Sequence, residues 1–281
     1  MAEIIDGRSI AQDIQKKIGV EIRQKGLEPS LVIILIGNDP ASQLYINLKK
    51  KACEKVGIEF HEYLMAEKVS EEHILETIDF LNKDEQTDAI LIQLPLPQHL
   101  NTNKIIEAIN IDKDVDGFHP QNIKKILNNE NNFIPGLPLG IIKLLESTKE
   151  DLKNKEALII SKSDVFYKPL KKLLEDREII TKIIKPNASN LITLTKKADI
   201  LITAIGKPFF IKKEMVKKGS IIIDIGTNKI DQKYIVGDVD YTSVFPKVSY
   251  ITPVPGGVGP MTVAMLLYNT LKLHKIKRDI I

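Results

Sequence analysis

Apolar residues in this chain fall into two alternating patterns. One is a set of short continuous runs at 31–36, 89–92, 157–160, 200–202 and 221–223, rich in isoleucine, leucine and valine. A strand covered on both faces reads this way, because neither side of its pleat meets water. The other is a set of longer amphipathic stretches at 10–24, 42–56, 70–82, 138–144, 169–175 and 190–197. Their apolar positions recur at helical spacing. Strand and helix in alternation predict an α/β chain built on parallel sheets.

The pattern breaks over 118–138. Asn128-Asn-Glu-Asn-Asn132 is polar and turn-prone, and Pro135, Gly136 and Pro138 follow it. The expected organisation is a first domain over 1–135, completed by 250–281, and a second over 136–249. A helix expected at 259–275 returns to the first domain.

Composition then narrows the classes. The chain has 281 residues, 43% hydrophobic and 27% charged, enough for real cores and too apolar for wholesale disorder. No apolar run reaches the about 18 residues that cross a bilayer, so no membrane partner is expected. Glu3 and Asp6 stand where a secretory leader would be basic and then apolar, so none is expected. The single cysteine, Cys53, cannot close an intrachain disulfide, which suits a reducing cytoplasm. A net charge of +3, spread along the chain, implies no nucleic-acid partner. Arginine occurs only at Arg8, Arg23, Arg177 and Arg278, and arginine is the preferred fork for phosphate. The histidines show no metal-ligand spacing, so no metal is expected.

Several segments could carry chemistry. Tyr45, Lys49 and Cys53 are four apart and share a helix face, with Leu48, Ala52 and Val56 beside them. Lys50 and Lys51 fall on other faces. Lys49 either lays its stem over the core with its head in water, or is desolvated enough to act as a neutral amine. Gln93 interrupts an apolar strand before Pro95 and Pro97. It is either satisfied by backbone or set at a strand's carboxyl end, where α/β sheets bind ligands. Asp114 and Asp116 precede Gly117 and form either an Asx-type turn or an anion that accepts heterocycle N–H groups. The stretch Ser161-Lys-Ser-Asp-Val-Phe-Tyr-Lys-Pro169 lies where a dinucleotide-phosphate loop would open a helix. It lacks the glycines of that fingerprint, and an ordinary strand-to-helix loop is the plainer reading. Asp224 to Asn228 repeats the strand-end form around Gly226. Finally, Thr252-Pro-Val-Pro-Gly-Gly-Val-Gly-Pro-Met-Thr262 packs three glycines and three prolines together, as close approach to a flat ligand would require.

Taken in order, these segments resemble the bifunctional methylenetetrahydrofolate dehydrogenase/methenyltetrahydrofolate cyclohydrolase family over essentially the whole chain. The residues that carry the likeness are Ile5-Asp-Gly7, Gly37-Asn-Asp-Pro-Ala-Ser42, Tyr45 to Ala52, Gln93-Leu-Pro95, Asp114-Val-Asp-Gly117, Val236-Gly-Asp-Val239 and Thr252 to Met265. The resemblance implies a folate domain, a Rossmann-type nucleotide domain and two steps. Hydride passes from 5,10-methylenetetrahydrofolate to NADP⁺, and water then opens the methenyl ring to 10-formyltetrahydrofolate. It implies that Lys49 handles protons, that Gln93 poises it, that Tyr45 stacks on the aminobenzoyl group and that Asp116 accepts from the pterin. Ile92, Leu94, Pro255, Gly256, Gly259 and Thr262 are implied to line the folate site, and Ser161, Lys162, Ser163, Pro186 and Thr227 the cofactor site. A homodimer is implied as well.

The cofactor half departs from the family pattern. Both loop glycines are absent, Tyr167 stands at one of them, and Lys162 replaces an arginine. Lys185-Pro-Asn-Ala188 lacks a hydroxyl found in the family, and Leu137-Pro138 lacks a capping oxygen. Two alternatives therefore accompany the bifunctional reading. One is a cyclohydrolase whose dehydrogenase is weak, lost or shifted to NAD, with Tyr167 filling the pyrophosphate approach. The other is a folate-binding protein without catalysis.

Overall fold

A computed structural model describes residues 2–130, 133–162, 167–231 and 234–280. In chain order the elements are β1 (Glu3–Ile4), α1 (Gly7–Lys25), β2 (Ser30–Ile36), α2 (Pro40–Val56), β3 (Glu59–Met65), α3 (Glu71–Lys83) and β4 (Ala89–Ile92). Then come α4 (Thr102–Glu107), α5 (Pro120–Leu127), α6 (Gly136–Ser147), β5 (Glu156–Ser161), α7 (Lys168–Glu175), β6 (Ile180–Ile184), α8 (Leu191–Thr195) and β7 (Ile200–Ala204). The chain ends with β8 (Ile221–Asp224), β9 (Asn228–Ile230), β10 (Tyr234–Val236), α9 (Tyr241–Val244), β11 (Tyr250–Ile251) and α10 (Val258–Lys277).

The chain divides into two compact units: Gln12–Gly136 with Val263–Ile281, and Met1–Ala11 with Leu137–Thr262. Residues 250–262, which the sequence reading places with the first domain, group with the second unit, and the rest of α10 groups with the first.

The first unit holds a parallel sheet in the order β3-β2-β4. Every residue of β2 is buried. Its alternate side chains feed opposite cores, Leu31, Ile33 and Leu35 on one face and Val32, Ile34 and Ile36 on the other. Each such side chain contributes about 1.5–3 kcal/mol on burial, which makes this strand the anchor of the unit. One face is covered by Ile18 and Ile22 of α1, Ile46 and Val56 of α2, and Leu266, Leu267 and Leu271 of α10. The other is covered by Ile74, Ile78 and Leu81 of α3 and Ile105 of α4.

The second unit holds a six-stranded sheet in the order β1-β11-β8-β7-β5-β6, parallel throughout. The chain runs from β5 to β6 on one side, then returns past β5 to β7. That reversal makes the carboxyl ends of β5 and β7 the switch point of a doubly wound sheet. A β9–β10 hairpin pairs antiparallel beyond β8. Among the described residues, no helix is long and apolar enough to cross a membrane.

Candidate active site

Helix α2 is set by its own ends. The Asp39 carboxylate accepts the Ser42 backbone N–H at 2.8 Å, Pro40 occupies the first turn, and Gly57 closes the helix in the left-handed region at φ 90°. One face runs from water into the core: Tyr45 is 42% exposed, Lys49 is half-buried and Cys53 is 0% exposed. Leu48, grouped by spacing with the apolar neighbours, is itself exposed. Lys50 and Lys51 point to solvent.

Gln93 follows β4 directly, and its backbone N–H donates to the Ile34 carbonyl at 2.9 Å. Lys49 Nζ donates to Gln93 Oε1 at 2.8 Å, and Gln93 Nε2 donates to the Leu94 carbonyl at 2.8 Å. The amide is held at both ends, so its oxygen stays aimed at the ammonium. Ile92 on one side of Gln93 is buried, and Leu94 on the other packs against the core.

The acidic pair divides its labour. A bridge from Asp114 to Ile90 lays this segment beside β4. Asp114 is buried and accepts the backbone N–H groups of Gly117 at 3.1 Å and His119 at 2.8 Å, and Asn122 Nδ2 at 2.9 Å. It is the turn-former. Asp116 accepts no hydrogen bond among the described residues and lines a small pocket with Ile92, Leu94 and Phe118.

Burial dominates the electrostatics. It holds the Lys49 pKa below the ordinary lysine value, against the opposing pull of Asp116 and Cys53. It pushes the Asp116 carboxyl up to about 6, with Lys49 lowering and Asp114 raising it. It pushes the Cys53 thiol up to about 12, so this cysteine is no nucleophile near neutral pH. The arrangement is a desolvated amine held by an amide acceptor beside a carboxylate that is largely ionised at pH 7, which is equipment for moving one proton.

Pro255, Gly256, Gly259 and Thr262 belong to the other unit. The glycines there have partly structural causes. A Cβ on Gly7 would lie 2.0 Å from the Gly257 carbonyl oxygen, and one on Gly257 would lie 2.7 Å from Pro253 O. Gly259, by contrast, faces open space. Pro255 and Thr262 are exposed, and the Thr262 hydroxyl donates to the Gly259 carbonyl at 2.7 Å.

At the switch point, Ser161 ends β5 and is buried, while Lys162 is exposed. Lys162 Nζ lies 3.6 Å from where a Cβ on Gly206, after β7, would stand. The crevice thus offers a cation over bare backbone, a donor set suited to a dinucleotide phosphate. Pro186 is half-buried in the turn after β6, and Thr227 is exposed after β8. Ser163 lies outside the described residues. Tyr167 is a core residue, only 8% exposed, with its hydroxyl hydrogen-bonded to Ser161 and pushed up to about 12, chiefly by burial.

Sequence reading assigned no role to the buried acids Asp224 and Asp238. The signal was a glycine two residues after the first and directly before the second.

Comparison with known proteins covers both units. Residues 5–116 match the tetrahydrofolate dehydrogenase/cyclohydrolase catalytic domain, and residues 135–278 match the NAD(P)-binding domain of the same family. The chain is 44% identical over 281 residues to the bifunctional protein FolD of Wolinella succinogenes, covering 99% of this chain and 98% of the relative. The fold matches the crystal structure of the bifunctional FolD enzyme of Campylobacter jejuni with a TM-score of 0.94 at 40% identity, over 98% and 99% of the two chains. It matches the Trypanosoma brucei FolD, solved with NADP cofactor and inhibitor, with a TM-score of 0.93 at 31% identity, over 99% and 98%. Likeness of this extent, running through both sheets and the segments that hold Lys49 and Gln93, places the chain in the tetrahydrofolate dehydrogenase/cyclohydrolase family.

Proposed function

We propose that this chain oxidises 5,10-methylenetetrahydrofolate to the 5,10-methenyl form with NADP⁺ and hydrolyses that product to 10-formyltetrahydrofolate. The observation that carries the reading is the bond from Lys49 to Gln93, made by an amine whose proton affinity burial has reduced. When bound, NADP⁺ supplies the hydride acceptor for the first step. Lys162 and Ser161 at the switch point, with Pro186 and Thr227 at the neighbouring strand ends, are the described residues positioned to hold it.

In the second step Lys49, in its neutral form, takes a proton from the water that adds to the methenyl carbon. The same nitrogen then returns that proton to the ring nitrogen, whose bond to the carbinol carbon breaks as the formyl C=O forms and the hydroxyl proton passes to solvent, one proton being released overall. Gln93 keeps the amine in one place through both transfers. Asp116, ionised above about pH 6, accepts from pterin N–H groups in a charge-assisted bond. Tyr45, one turn before Lys49 and partly exposed, offers its ring to the aminobenzoyl group.

The cyclohydrolase-only reading is not favoured, because the family likeness runs through the nucleotide domain at full length. The non-catalytic reading is not favoured either, because Lys49 and Gln93 stand in contact. A cytoplasmic homodimer is the accompanying expectation, for which a mass measurement in solution is the check.

Lys49→Met tests the site. Methenyl hydrolysis should fall at least about 100-fold while the thermal midpoint barely moves. Hydrolysis at the wild-type rate would remove Lys49 from the mechanism. NADPH formation from the methylene compound, followed by absorbance, tests the first activity.

A further inference from the structure

Two buried carboxylates remain unused by this account. Asp224 ends β8 and Asp238 follows β10, and they are 3% and 0% exposed. Asp238 Oδ2 accepts the backbone N–H groups of Ile205 and, at 3.2 Å, Gly206. Its Oδ1 accepts Lys207 N–H and Asn228 Nδ2, both at 3.0 Å. Asp224 Oδ1 accepts the N–H groups of Gly226 at 2.9 Å and Asp238 at 3.1 Å, and the Thr203 hydroxyl at 3.2 Å. Its Oδ2 accepts Val239 N–H at 2.9 Å. The pair thus gathers donors from the end of β7 with the segment after it, the segment after β8 and the segment after the hairpin.

The backbone is cut to fit them. A Cβ on Gly226 would stand 2.3 Å from Asp238 Cγ, and one on Gly237 would stand 1.9 Å from Asp224 Oδ2. No lysine or arginine side chain hydrogen-bonds either acid among the described residues. Both carboxyl groups are held by neutral donors alone. Burying such polar groups is costly, and apolar packing would stabilise the fold more cheaply. What the carboxylates supply is orientation, because each fixes several N–H groups in one geometry at the carboxyl end of the sheet.

A dinucleotide bound across a switch point lays one half over each side of it. On the β7–β8 side, residues 205–207 and 225–228 follow the strand ends and would form the floor beneath that half. We propose that Asp238, braced by Asp224, is a positioning residue that shapes this floor for one half of the dinucleotide. The proposal rests on the NADP reading above.

The test uses full-length Asp238→Asn and Asn228→Ala, with NADP⁺ titrated by calorimetry and methenyl hydrolysis measured on the same samples. Hydrolysis needs no dinucleotide and reports whether the folate site is intact. The dissociation constant should rise about tenfold or more in Asp238→Asn and several-fold in Asn228→Ala. Hydrolysis should stay within about twofold of wild type. An unchanged dissociation constant in folded Asp238→Asn overturns the proposal, as does parallel loss of binding and hydrolysis. Should Asp238→Asn fail to fold, Asn228→Ala decides on the same criteria. Wild-type protein that hydrolyses the methenyl compound but binds neither NADP⁺ nor NAD⁺ overturns the NADP reading and this proposal with it. Binding by wild type together with unchanged binding by the variants overturns this proposal alone.

Discussion

At the scale of single residues, position decides which of several identical side chains carries chemistry. Three consecutive lysines stand on α2, and helical spacing alone separates Lys49 from Lys50 and Lys51, which are exposed. Asp114 and Asp116 could not be told apart in that way. Their difference comes from the bridge to Ile90, which turns Asp114 toward the backbone N–H groups of 117–119 and leaves Asp116 facing the pocket. Asp116 then carries a cost with a definite sign. Its folded pKa, raised to about 6 by burial, lies above the unfolded value, so its favourable contribution exists at low pH and is lost as pH rises through about 6. Asp116→Asn should therefore raise stability by about 1–2 kcal/mol at pH 7 and change it little at pH 4, measured by denaturant unfolding at the two values. The same variant should weaken folate binding at neutral pH. In wild type, the folate KM should climb as pH falls below about 6. A variant no more stable than wild type at pH 7 would show that the carboxylate is not buried at a cost.

At the scale of elements, strands buried along their length are legible in the sequence and strands with exposed positions are not. β2, β4, β5, β7 and β8 are covered on both faces and read as unbroken apolar runs. β3 and β6 lie at sheet edges, where exposed residues interrupt the run, and only their pairing reveals them. The helix α5 hides inside the polar stretch that marks the domain break. Tyr167, one residue before α7, is buried, and its removal is costly: Tyr167→Gly should lose about 3–5 kcal/mol of unfolding free energy, whereas Tyr167→Phe should lose about 1. Denaturant midpoints measure both, and equal midpoints for Gly and wild type would contradict the burial.

At the scale of the whole molecule, the chain passes between its units three times, at 11–12, 136–137 and 262–263. The three-stranded unit takes Leu266, Leu267, Leu271 and Leu273 of its core from the last helix. The same helix is pinned at the amino end of the sheet. The Asp88 carboxylate accepts Ser30 N–H at 3.0 Å, contacts His274 Nδ1 at 2.7 Å and pairs with Arg278 at 2.6 Å. Burial alone would raise Asp88, but the Arg278 and His274 bonds outweigh it and hold its pKa low, so this tie weakens as pH falls through that value. A fragment spanning residues 1–136 should consequently fail to fold, giving no cooperative thermal transition by circular dichroism. A sharp transition in that fragment would show that α10 is dispensable. The sequence by itself determined the α/β class, the fully buried strands, the helix face that carries Lys49 and the family, because local periodicity and ordered motifs are properties of neighbours along the chain. Only the tertiary structure decided which aspartate is free, why Gly226 and Gly237 carry no side chain, and which unit each terminal segment completes, because those outcomes depend on burial and hydrogen bonding between residues far apart in sequence.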